Sequence, residues 1–173
     1  MLDPAESHGL VLDTSVWINL LATEALDAIL AALAVPCHAP EQVLGELTRH
    51  PVTGVTFPTD DHPMREISPW ISIVSLKDTE LDVFLEIVGA PAGDALGDGE
   101  AAAIAVTAGR GLDLVIDDRK ARRILRQRFS HVHTYWTVDL LQAKSVITKL
   151  GRSTADKCFA KALQYGRMHV PRT

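Results

Sequence analysis

The chain has almost no cysteine, few aromatic residues, no long apolar run and no surplus of positive charge. Its two cysteines, Cys37 and Cys158, lie far apart and match no metal-ligand spacing, which argues against a disulfide-framed fold and a structural zinc site. Reduced thiols in a cytoplasmic protein are expected, with one long-range disulfide as the minor alternative. A formal net charge of −5 argues against a general polyanion binder. It leaves a local basic patch open, because a cluster of metal-binding acids would itself skew the count. No apolar run approaches about 18 residues, and MLDPAESHGL lacks the basic-then-apolar pattern of a secretory signal, so a soluble chain with no membrane segment is expected. Aromatic residues make up 5% of the chain, and Trp70 and Trp136 are read as core or edge side chains rather than stacking platforms.

What remains is ordinary for a soluble domain: 47% hydrophobic and 23% charged residues in 173 positions, enough for one domain, 1–173, with one sizeable core. Short apolar segments alternate with helical patterns. Residues 9–12 (GLVL), 36–39, 70–76, 112–116 and 131–135 read as strands. Helical patterns follow 13–15, then cover 25–34, 40–50 and 78–88, start again at 98 and 119, continue from Thr137 as a cap, and end with 153–165. Four prolines between 51 and 69 mark a loop or irregular insertion. This alternation predicts an α/β fold whose parallel sheet is covered on both faces. In such sheets functional groups gather at the carboxyl ends of the strands, where strand order reverses.

Acids stand at those ends. Asp13 closes the first strand and either caps the next helix or binds a cation; the two roles are compatible. Glu46 lies beside the apolar stripe of its helix, whereas Glu41 suits the dipole of a first turn. Asp98 fits a helix N-cap. Glu100 opens a helix that is apolar nearly all round, where a carboxylate is costly unless paired or metal-bound. Asp117 and Asp118 are adjacent acids at a strand end and need a cation or arginine to neutralise them. The arginines of the following helix, Arg119, Arg122, Arg123 and Arg126, share one face by spacing; they would form either a solvated surface or a phosphate contact beside the acids. His131 and His133 suit surface or strand-end roles. Ser15 has no nucleophile motif around it. Asp13-Thr14-Ser15 lacks the paired acids of a receiver domain and the Asp-x-Asp of a dehalogenase-like phosphatase. Several carboxylates around one pocket suit Mg²⁺ or Mn²⁺, which prefer oxygen ligands.

In order, LVLDTSVWINL at 10–20, APEQVLGELTR at 39–49, LGDGEAAAIAV at 96–106 and LVIDDRKARR at 114–123 resemble the PIN domain, the metal-dependent nuclease fold of VapC-type toxins. The resemblance covers about 9–150, with 151–173 as a C-terminal helix and tail. It implies a three-layer α/β/α fold with a central parallel sheet and an acidic site at the strand ends. The family's first acid and the small hydroxyl residue after it carry over to Asp13, Thr14 and Ser15. Its second acid, in an "EL" pair, falls on Glu46, and its fourth, before a basic residue, falls on Asp118-Arg119. The third departs from most VapC toxins, whose Asp position is Ala101 here. The chain instead resembles a subgroup with GE at the helix start and DDRKAR after the strand, which gives the third role to Glu100 with Asp98 in support. The implied ligands are Asp13, Asp118, Glu100, Asp98 and Asp117, with Thr14, Ser15 and Arg119 supporting. The implied activity is Mg²⁺- or Mn²⁺-dependent ribonuclease (hydrolase) cleavage of RNA, with an antitoxin and a homodimer as implied partners.

Overall fold

Leu10–Leu12 forms β1, and all three side chains are fully buried. Such an apolar triplet suits a strand covered on both faces. In this computed structural model, which describes residues 3–171, β1 is the middle of a five-stranded sheet. Met1, Leu2, Arg172 and Thr173, the ends of the expected 1–173 domain and the first residues of the N-terminal stretch, lie outside the described residues. The sheet order is β3-β2-β1-β4-β5 and every pairing is parallel, with β2 at Cys37–Pro40, β3 at Ile71–Val74, β4 at Asp113–Val115 and β5 at Thr134–Tyr135.

Side-chain alternation divides the core into two layers. Leu10, Leu12, Cys37, Ala39, Val115 and Tyr135 face α1 (Thr14–Ala22) and α2 (Leu26–Leu33). Val11, Leu114 and Ile116 face the Ala-rich α5 (Asp98–Arg110) and the apolar side of α6 (Arg119–Arg128). Between β3 and α5 lies α4 (Asp78–Val88), and it packs along α5. The result is the expected three-layer α/β/α arrangement. Cys37 and Cys158 are both buried free thiols, so the disulfide alternative is not realised.

Several bounds differ from expectation. The helix after Pro40 is a short α3 (Glu41–Glu46) that stops well before His50. Leu47 leaves helical geometry, and the chain turns back through an Arg49–Thr56 bridge, so Glu46 sits in the last turn. The 51–69 insertion is anchored by buried His62, whose Nε2 lies 2.8 Å from the Leu47 carbonyl and whose Nδ1 accepts from the Met64 N–H. The outer strands are shorter than the segments predicted, because β3 and β5 each pair on one side only. The helix expected from Thr137 is two, α7 (Thr137–Leu141) and α8 (Lys144–Leu150), broken where Ala143 is extended. Thr137 begins α7 rather than capping it. The last helix, α9 (Arg152–Lys161), ends in a π-helical turn, Ala162–Gly166, that packs on α1; a Cβ at Gly166 would strike Asn19. Among the described residues no single helix is long and apolar enough to cross a membrane; α1 and α2 together are, but they are bent by 112°.

Candidate active site

From β1 the chain crosses to β2 on one side, and β4 later enters on the other, so strand order reverses beside β1. The carboxyl ends of β1 and β4 open a crevice there. Asp13 follows β1, and Asp117-Asp118 follow β4.

Asp13 is 2% exposed. Its Oδ2 accepts the Ser15 hydroxyl at 2.6 Å and the Ser15 N–H at 3.3 Å, so it does cap α1. Its Oδ1 is buried without a hydrogen-bond partner. An unpaired carboxylate oxygen away from water is costly. Burial accordingly pushes the Asp13 carboxyl up to about 6, against the hydrogen bonds from Ser15 and Thr14, with the Glu46 charge adding to the rise.

Glu46 reaches the same crevice from the end of α3. Its Oε2 accepts the Thr14 hydroxyl at 2.6 Å and its Oε1 accepts the Gly99 N–H at 2.9 Å. Gly99 permits this approach, because a Cβ there would collide with both the Glu46 carboxylate and the Thr14 hydroxyl. Three elements far apart in sequence thus meet at one carboxylate.

Glu100 stands in the first turn of α5 and accepts the Gly97 N–H at 3.3 Å. Its carboxyl is pushed up to about 7, first by burial, then by the negative charges of Asp13, Asp118 and Glu46, against the Gly97 bond. Asp98 is exposed and is not the cap; Gly97 occupies that position.

The two adjacent acids separate by role. Asp118 is half-buried and caps α6, its Oδ1 accepting the Ala121 N–H at 2.7 Å, and its charge acts on Glu100. Asp117 is turned inward. Its Oδ2 accepts from Asn19 Nδ2 and Thr137 Oγ1, both at 2.7 Å, and its Oδ1 accepts the Thr137 N–H at 2.8 Å. Burial raises its pKa despite these donors. Asp117 therefore ties β4 to α1 and α7, and its oxygens are already engaged. Asn19 is a polar side chain among the apolar residues of α1, a signal the sequence carries; its contact with Thr137 is not legible there, because pairing across 118 residues needs the fold.

The arginines do not act as one face. Arg122 donates to the carbonyls of Ile116 (3.1 Å) and Tyr135 (2.9 Å) and lies over the Trp136 ring at 3.9 Å. Arg123 pairs with Asp94 at 2.8 Å. Arg119, the first residue of α6, is exposed, its guanidinium 3.1 Å from His169 Nε2. His133 packs edge-on against Tyr135 at the β5 edge, 4.6 Å between centroids.

The donor set fits a hard divalent cation: all-oxygen, with one orphaned buried carboxylate oxygen and two carboxyls raised partly by neighbouring charge. Among the described residues no group of three or more Asp, Glu, His or Cys side chains stands close enough together to hold a metal ion. Carboxylates facing one another repel until a cation lies between them.

A family model described as a PIN domain matches residues 9–157. Searches of curated proteins and of solved structures gave no match.

Proposed function

This chain belongs to the PIN-domain family, whose members are generally nucleases, and from that membership we propose that it is a Mg²⁺- or Mn²⁺-dependent endoribonuclease and the toxin of a toxin–antitoxin pair. The observation that carries the nuclease reading is the buried, partnerless Asp13 Oδ1 at the end of β1, where Glu46 is tied in by Thr14 and the Gly99 N–H. The VapC-like motif order alone supports RNA as substrate, an antitoxin as partner and a homodimer.

Asp13 and Asp118 would hold the cation, with Glu100 opposite them; Asp98 and Asp117 are weaker ligand candidates, the first exposed and the second already bonded to Asn19 and Thr137. A divalent cation bound there supplies positive charge against the scissile phosphate and makes hydroxide accessible near neutral pH. The chain's own groups set the geometry. Ser15 fixes Asp13, while Thr14 and the Gly99 N–H fix Glu46. Glu100, in the first turn of α5, would bind a second ion or orient a water. Arg119, next to the Asp118 cap, would meet a phosphate oxygen.

The test is thermal stability under Mn²⁺ and Mg²⁺ titration, together with cleavage of single-stranded RNA. The wild-type protein should be stabilised by metal and should cleave, whereas Asp13→Asn and Asp118→Asn should each lose the metal response and about 10²–10³-fold in cleavage rate. A metal response unchanged in both variants would sink this mechanism. A metal response without any cleavage would leave a nucleic-acid-binding or protein-interaction module.

A further inference from the structure

Two cavities adjoin along the outer side of α6, next to the β5 edge. The first, about 310 Å³, is lined by Arg119, Arg122, Arg126, Trp136, His169 and Pro171. The second, about 380 Å³, shares Arg122 and Arg126 and continues past Leu125, Phe129 and Thr134. The groove thus begins beside the cap residue Asp118 and leads away from the acids.

Its charge is unusual for a chain of net charge −5. Elsewhere on α6 the arginines are matched by carboxylates: Arg123 by Asp94 and Arg128 by Glu86, at 2.8 and 2.5 Å. The first cavity holds three arginines and no acid among its lining residues. Arg122 is committed to two backbone carbonyls and to Trp136. Arg119 faces only a histidine ring, and the exposed Arg126, which has no carboxylate partner among the described residues, stands where the two cavities meet. Arg122 also has the charges of Asp139 and Asp117 nearby, but Arg119 and Arg126 form no ion pair among the described residues, and such unpaired cations attract an anion. Aromatic and apolar walls then supply what a bare anion does not need: Trp136 and His169, 5.3 Å apart, in the first cavity, and Phe129 and Leu125 in the second.

We propose that this groove is the track of a single-stranded nucleic acid, with Arg119 and Arg126 on successive phosphates and the cavity beside Phe129 receiving one unstacked base. The second cavity sets the Phe129 ring and the Leu125 and Val132 side chains beside Arg126, the pairing of apolar platform and basic side chain that suits an unpaired base and its phosphate. The proposal rests on the nuclease reading only for the strand's destination, the Asp13–Asp118 crevice.

The test separates the two. Binding of a fluorescein-labelled single-stranded RNA, a DNA of the same sequence and the RNA duplex is followed by anisotropy in EDTA, across a salt series. Arg126→Ala should weaken single-strand binding about three- to tenfold and reduce the salt slope by about one, with Arg126→Glu weakening it further. A drop with either sugar supports the track. Mn²⁺ stabilisation should survive in both Arg126 variants. Unchanged affinity and slope in both Arg126 variants overturn the track, as does duplex binding equal to single-strand binding. Displacement of the RNA by polyglutamate at equal charge also overturns it, in favour of an acidic peptide site. Arg126-dependent binding by a wild-type protein that never cleaves overturns the nuclease reading and not the track.

Discussion

Asp13 and Glu100 hold carboxyl groups in places that disfavour charge, Asp13 chiefly by burial and Glu100 by burial and its acidic neighbours. Folded, both bind protons more tightly than in the unfolded chain, and Asp117 shifts in the same direction. Their contribution to stability is complete below the unfolded carboxylate range and disappears as pH rises through about 6 for Asp13 and about 7 for Glu100. Glu80 acts in the opposite window, since the Arg110 guanidinium holds it below its ordinary value and its contribution fades only as pH falls through that lowered range. Metal-free protein should therefore lose stability between about pH 4.5 and 7. Urea denaturation in EDTA across that range would measure the slope, and Asp13→Asn with Glu100→Gln should flatten it. At pH 7.5 the Asp13→Asn variant alone should be more stable than the metal-free wild type by roughly 1–3 kcal/mol, while losing the response to Mn²⁺. A pH-independent wild type would show that these acids are not crowded as drawn.

At the scale of elements, the adjacent pair Asp117-Asp118 shows how a strand end divides its labour. Asp118 caps α6 and stays toward the crevice, while Asp117 turns under it to join α1 and α7 through Asn19 and Thr137. Strand alternation sends neighbouring side chains to opposite faces, so one acid must serve packing when the other serves the site. Asp117→Asn should keep the Mn²⁺ stabilisation yet lower the unfolding free energy by about 1–3 kcal/mol, because an amide cannot match both donors of Thr137 and that of Asn19. Asp118→Asn should do the reverse. Thermal melts of the two variants with and without Mn²⁺ decide it, and a lost metal response in Asp117→Asn would reverse the assignment.

At the scale of the molecule, the site exists only because α1, α3 and α5 close onto one carboxylate. Thr14 and the Gly99 N–H grip Glu46 from either side, and nothing larger than glycine fits at 99. Gly99→Ala should cost about 1–3 kcal/mol in denaturant unfolding through overpacking, and about 10–100-fold in RNA cleavage through displacement of Glu46. Full activity in that variant would remove Glu46 from the site.

The sequence by itself determined the parallel α/β class, because apolar triplets such as Leu10–Leu12 can be satisfied only between two covering layers. It also placed acids at strand and helix ends, since Asp13 and Asp118 cap α1 and α6 by local geometry that needs no tertiary partner. Helix bounds at Glu46 and Ala143 were less legible, because they depend on contacts made by Leu47 and on the packing of α7 and α8 rather than on propensity. What only the tertiary structure decided is which acids face one another and which are consumed in packing. The inward turn of Asp117, the grip on Glu46, the exposure of Asp98 and the meeting of Arg119 with His169 join residues as much as 118 positions apart. Local propensity carries no information about such pairs. Strand order fixes them, by putting β1 and β4 side by side so that their carboxyl ends open into one crevice.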